Sequence, residues 1–142
     1  MSEMKEMVYT SKRLPFPEIL VQDSYNGYNY FVHSMGTHPC AYVEIPKDNK
    51  FFGKSKDIIS KAINCHGGIT FVNSNLYGVD HYGYFIGWNY GHYGDFLGYV
   101  VGSMFELVGS MFEKDDEDVK YSTPEMVRDC KAVIDQLVLA NC

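Results

Sequence analysis

Two runs rich in aromatic and β-branched residues, Tyr28–Met35 and Cys40–Ile45, are separated only by Gly36-Thr37-His38-Pro39. Four turn-forming residues between β-prone runs predict an antiparallel hairpin. A hairpin is not stable alone, so the rest of the chain must cover it. Asn26-Gly27 marks the turn entering the first run, and Pro46-Lys47-Asp48-Asn49-Lys50 ends the second with breakers and charge. Ile69–Asn73 and Tyr84–Tyr90 read as two further strands, joined by a polar loop that holds Asp80 and His81.

Two helices follow from pattern and capping. Ser55–Asn64 fits a short helix with Ile58, Ile59 and Ala62 on one side. The last segment is clearer: Thr123 can cap it, Pro124 suits its first position, and Glu125 favours the helix dipole. Val127, Cys130, Ile134, Leu137 and Val138 then form an apolar stripe at helical spacing. The expected fold is α+β, an antiparallel sheet of about four strands covered by a C-terminal helix and a short helix. Residues 1–24, with Pro15 and Pro17 and no periodicity, read as an N-terminal arm. Residues 25–142 read as a single domain, long enough for its own hydrophobic core.

An internal repeat interrupts that domain. Val101–Leu107 and Val108–Lys114 agree at six of seven positions, and an acidic run, Asp115–Asp118, follows. Residues 101–118 are therefore expected to form an inserted elaboration, able to build a contact in a homo-oligomer.

Charge narrows the functional classes. Eighteen acidic residues against 12 Lys plus Arg leave a net charge of -6, which disfavours a nucleic-acid binder. Lysines 47, 50, 54, 56 and 61 nevertheless gather in one stretch, a candidate for meeting a small anion. Solvated surface is their ordinary role. The first residues contain no apolar signal core, and no run of eighteen apolar residues exists, so no membrane association is expected. The four cysteines show no metal or redox spacing, which fits reduced thiols in a cytoplasmic protein.

Two glycine-flanked histidine motifs remain: Asn64-Cys65-His66-Gly67-Gly68 and Gly87-Trp88-Asn89-Tyr90-Gly91-His92-Tyr93-Gly94-Asp95. Glycine lets backbone turn sharply or approach a ligand, and imidazole beside carboxylate is the usual equipment of a polar pocket. A Cys65 nucleophile would need a base from elsewhere, such as His92 or His81. The histidines 38, 66, 81 and 92 with Asp80 and Asp95 lack metal-site spacing. His92 and Asp95, three apart in a Gly-rich turn, are read as a carboxylate orienting an imidazole, with no metal and no cofactor expected. No dinucleotide fingerprint, P-loop or Gly-x-Ser-x-Gly element is present. As a binding site, Trp88, Tyr90 and Tyr93 would stack a base while His66, Asn89, His92 and Asp95 read polar edges. Gly67, Gly68 and Lys47 or Lys54 would then take a phosphate. Trp88 and Tyr90 as plain strand core is the competing reading.

The motifs in order resemble a family of small, mostly uncharacterised proteins encoded by phages and by bacterial genomes carrying prophages. The matching pieces are Tyr25-Asn26-Gly27-Tyr28, Gly36-Thr37-His38-Pro39-Cys40-Ala41-Tyr42-Val43, Ile45-Pro46-Lys47 and Phe52-Gly53-Lys54. They continue with Cys65-His66-Gly67-Gly68-Ile69-Thr70-Phe71, Ile86-Gly87-Trp88-Asn89 and His92-Tyr93-Gly94-Asp95, then a helix after Tyr121-Ser122-Thr123. The resemblance runs from about residue 25 to the C-terminus. It departs from the family pattern at Asn89, where aspartate is expected. A phage setting implies an anti-defence role: binding a nucleotide-type immune signal, of cyclic ADP-ribose or cyclic dinucleotide type, in the host cytoplasm. Binding without turnover is the expected activity. A histidine-based hydrolase, with or without zinc, and a protein-binding inhibitor of a host enzyme are the alternatives.

Overall fold

A computed structural model describes residues 4–91, 95 and 119–141. Its elements run β1 (Glu18–Tyr25), β2 (Tyr28–Ser34), β3 (Pro39–Glu44), α1 (Lys56–Ala62), β4 (Phe71–Asn73), β5 (Phe85–Asn89) and α2 (Thr123–Ala140). The five strands form one antiparallel sheet in the order β1-β2-β3-β5-β4. The α+β architecture expected from the sequence is the one observed.

One strand more than expected lies in the arm. Residues 18–25 form β1, which pairs with β2 from Glu18↔Ser34 to Tyr25↔Tyr28. Asn26 and Gly27, at φ 53° and 84°, make the tight turn between them. Positive φ at both central residues matches the twist of a two-residue hairpin loop. Ile19-Leu20-Val21 ahead of Asn26-Gly27 carried that signal, but the nearby prolines masked it. The rest of the arm is also anchored. Lys5 N donates to the Leu20 carbonyl (2.8 Å), Thr10 N to Gly36 (2.8 Å) and Leu14 N to Met35 (2.9 Å).

The sheet is buried on both faces, so its central strands lack simple alternation: β3 is buried at five of six positions. One face carries Leu20, Tyr30, Val32, Ala41, Val43, Ile86 and Trp88 against Met126, Cys130, Val133, Ile134 and Leu137 of α2. The other face gathers Phe31, Cys40, Tyr42 and Phe85 beneath Leu76 of the connecting loop. Tyr42 lies so close over β5 that a Cβ at Gly87 would collide with its ring, which explains a glycine inside a central strand.

Helix boundaries follow local chemistry. Ser122, one residue before the expected cap, closes a capping box with Glu125 at the start of α2. Thr123 is buried and its hydroxyl instead donates to the Lys5 carbonyl at 2.6 Å. In α1, Ile59 is buried but Ile58 is 50% exposed, and Ile63, the C-cap, is the second apolar anchor. Spacing of four residues, not three, sets that short face. Asn49 is buried and pins the lysine-rich turn to the core, donating to Tyr28 Oη (2.8 Å) and the Leu137 carbonyl (3.0 Å). Among the described residues no helix is long and apolar enough to cross a membrane. The 101–114 repeat and the 115–118 run lie outside the described residues.

Candidate functional site

The site forms where β5 ends and α2 begins. Residues 65–68 turn tightly: Gly68 N donates to the Cys65 carbonyl at 3.1 Å, and Gly67 and Gly68 sit at φ 70° and 84°. Side-chain-bearing residues rarely adopt that backbone, so both glycines are required by the turn itself. The turn aims the His66 ring at Tyr90, one residue past β5. The two rings stack with centroids 4.5 Å apart and planes 18° from parallel. Tyr121, just ahead of the α2 cap, meets His66 edge-on at 4.9 Å and Tyr90 at 4.9 Å.

Asp95 completes the arrangement. Its two carboxylate oxygens lie 2.8 and 2.9 Å from His66 Nε2. The Asp95 side chain is 4% exposed and that of His66 24% exposed, so the carboxylate is sunk and the imidazole stands at the surface. An isolated β-bridge between Asp95 and Val119 ties this residue to the chain entering α2. A carboxylate gripping one ring nitrogen fixes the imidazole's tautomer and orientation. The sequence pairs Asp95 with His92; among the described residues the imidazole on Asp95 is that of His66. His92, the histidine expected beside it, lies outside the described residues, as does Tyr93.

Beneath the stack runs a buried chain of hydrogen bonds. Trp88 Nε1 donates to Tyr90 Oη at 3.0 Å, and Tyr90 Oη donates to Asp129 Oδ2 at 2.6 Å. Burial, the Asp129 carboxylate and its charge together push the Tyr90 hydroxyl far above its ordinary pKa. Trp88 is 1% and Tyr90 0% exposed. Trp88 and Tyr90 are therefore both core, as the competing reading had it, and an incoming base cannot stack on either.

Tyr9 comes from the arm and closes one side. Its hydroxyl accepts from Tyr121 N at 3.1 Å and donates to the Tyr121 carbonyl at 3.4 Å. Burial chiefly, with the Asp95 and Glu125 charges, pushes its pKa up to about 12. Tyr9, Tyr121 and Asp129 were not singled out by sequence. Asp129 had a visible trace, a charge beside the apolar stripe of α2. Tyr9 had none, because the arm has no period.

The remaining expected site residues are distributed elsewhere. Asn89 bonds Thr70 Oγ1 (3.4 Å) and accepts from Gly91 N (3.0 Å), shaping the backbone beyond β5. Lys47 lines a different cleft of about 300 Å³ with Glu44, Phe52, Tyr82 and Gly83. The Lys54 carbonyl receives the Tyr84 hydroxyl. The contacts of both lysines are thus with residues near the Phe85 end of β5. None of these contacts involves His66, so they lend no support to a phosphate-binding role for Lys47 or Lys54 beside it. Cys65 has no activated thiol, since burial pushes it up to about 11.

At the Phe85 end a second imidazole is paired. His81 Nε2 lies 3.0 Å from both Glu44 oxygens and its Nδ1 is 3.5 Å from Asp80. Glu44 and then Asp80 hold its pKa above the usual imidazole value. Among the described residues no three His, Cys, Asp or Glu side chains gather as a metal-binding set. No family model, curated protein or solved structure matches the chain.

Proposed function

We propose that this chain is a small-molecule-binding protein of phage origin that captures a nucleotide-type immune signal in the host cytoplasm and holds it without consuming it. The observation carrying the reading is the His66–Asp95 pair, stacked on Tyr90 and edged by Tyr121. An imidazole locked by a sunken carboxylate pays little ordering cost when it accepts or donates a hydrogen bond to a ligand. The adjoining partly buried Tyr121 ring suits a planar base, which stacks and presents polar edges. Retention rather than turnover is supported by the neighbouring groups. The Cys65 thiol is raised to about 11, and the Tyr90 hydroxyl is engaged with Asp129 and Trp88.

The test is a thermal-shift screen with cyclic dinucleotides and cyclic ADP-ribose-type molecules. A ligand at 100 times its Kd adds about 2.7 kcal/mol of stability. His66→Ala abolishes the shift, and heating the complex returns the ligand chemically intact. A cleaved product would replace this reading with the histidine-based hydrolase. A screen without any shift, together with a host protein retained from lysate, would replace it with the enzyme inhibitor.

A further inference from the structure

We propose that the cleft lined by Lys47, Phe52 and Tyr82 is a second binding site, for a small planar ring that carries an anionic group. The site is independent of His66, and it gives a role to the lysine-rich stretch that the His66 site leaves unused.

Its walls are ordered before any ligand arrives. The cleft, about 300 Å³, lies between the turn that follows β3 and the chain entering β5. In that turn Asn49 N donates to the Pro46 carbonyl and Phe52 N to the Asn49 carbonyl, each at 3.0 Å. The buried Asn49 side chain accepts from Phe51 N at 2.9 Å while it donates to Tyr28 and Leu137. Lys50 N donates to Asn141 Oδ1 at 2.9 Å, so the C-terminal cap of α2 braces the same turn. On the opposite wall Gly83 N donates to the Ser74 carbonyl at 3.0 Å. A site ordered in advance loses less freedom on binding.

Glu44 and Lys47 both line the cleft, but only the acid is engaged. His81 Nε2 lies 3.0 Å from both Glu44 oxygens, and Asn29 Nδ2 donates to one of them at 3.2 Å. A Cβ at Gly83 would collide with the same carboxylate, so the glycine lets it lie against the backbone. The exposed Lys47 side chain has no hydrogen-bond or ion-pair partner among the described residues. Its ammonium offers three donors to an incoming anion.

The aromatic residues select the rest of the ligand. Tyr82 is 81% and Phe52 36% exposed, so neither ring is buried in the core. Phe52 is steadied by Tyr84, with ring centroids 5.4 Å apart, and the Tyr84 hydroxyl in turn meets the Lys54 carbonyl. Such rings present faces and edges to a flat partner. The volume is at the small end for ligand pockets, which favours a single ring over a larger molecule.

The experiment titrates benzoate and phenyl phosphate into isotope-labelled protein and follows the Lys47, Phe52 and Gly83 amides by NMR. Gly68, in the His66 turn, is the reference. At least one of the two anions is expected to shift the cleft amides and leave Gly68 in place; which one does so tells a carboxylate from a phosphate ester. Benzyl alcohol, a ring without charge, and acetate, a charge without a ring, should each bind about fivefold more weakly or worse. Lys47→Gln should lower the affinity for the anion about fivefold and bring it level with benzyl alcohol. Tyr82→Ala should weaken the anion and benzyl alcohol alike. Both side chains are exposed, and unchanged thermal midpoints verify that the variants are folded. Benzylamine binding more tightly than either anion would overturn the inference by making Glu44 the anchor. Anion binding indifferent to Lys47→Gln, or cleft amides that no anion moves, would overturn it as well. A response at Gly68 alone would overturn it while leaving the His66 site standing.

Discussion

Both oxygens of Asp95 converge on one nitrogen of His66, at 2.8 and 2.9 Å, across 29 positions of sequence. The carboxylate is buried and the imidazole partly open, so the two are not equivalent under substitution. His66→Ala takes the imidazole from a carboxylate already removed from water, and should cost about 1–3 kcal/mol. Asp95→Asn leaves an oxygen to accept from Nε2–H and should cost less. Urea midpoints at unchanged m-value check the order; equal costs would overturn it, and no cost for either variant would mean that the pair adds nothing to stability.

His33 is a second buried imidazole, 1% exposed, on the opposite sheet face, packed 5.0 Å from the Tyr42 ring. Its Nε2 has no hydrogen-bond partner, and burial lowers its pKa to about 4. The folded state therefore binds fewer protons than the unfolded chain, whose imidazole titrates near 6.5. Its contribution is complete above 6.5 and is lost as pH falls towards 4, a loss of about 3 kcal/mol by pH 4. His33→Phe should flatten that limb of the stability profile. An unchanged limb would assign the acid sensitivity to other groups.

Tyr90→Phe preserves the ring under His66 but removes the hydroxyl joining Trp88 to Asp129. Both partners are then left with an unmet hydrogen bond, a cost of about 1–3 kcal/mol. The chain has a single tryptophan, so its emission reports the change directly. A variant with wild-type stability and emission would show that the buried bonds exchange freely with water.

The described thiols should be slow to react. Burial raises Cys40 and Cys65 to about 11 and Cys130 further still. At pH 7.5 a thiol of that kind is ionised in roughly one molecule in three thousand, and the thiolate is the reactive form. Iodoacetamide labelling followed by peptide mapping should find all three unmodified in the native protein and modified in urea. Rapid native labelling of Cys65 would revive it as a nucleophile.

Local signals were legible where neighbours in sequence are also neighbours in space. The β2–β3 hairpin, the capped α2 and the Gly67-Gly68 turn each follow from contacts spanning a few residues. β1 was legible in Ile19-Leu20-Val21 followed by Asn26-Gly27, but the prolines ahead of it carried more weight than they should have. Alternation could not separate Trp88 as ligand surface from Trp88 as core, because a sheet covered on both faces buries consecutive residues.

The amino-acid order alone determined the β2–β3 hairpin, the two helices and the acidic balance, since turn geometry, capping and charge are settled within a few residues. Only the tertiary fold decided which histidine Asp95 would hold, that Tyr9 of the arm would brace Tyr121, and that the lysines would stand at the far end of β5. Those pairings depend on strand order and on how the chain wraps the sheet, and the free energy that sets them comes from burying two faces at once.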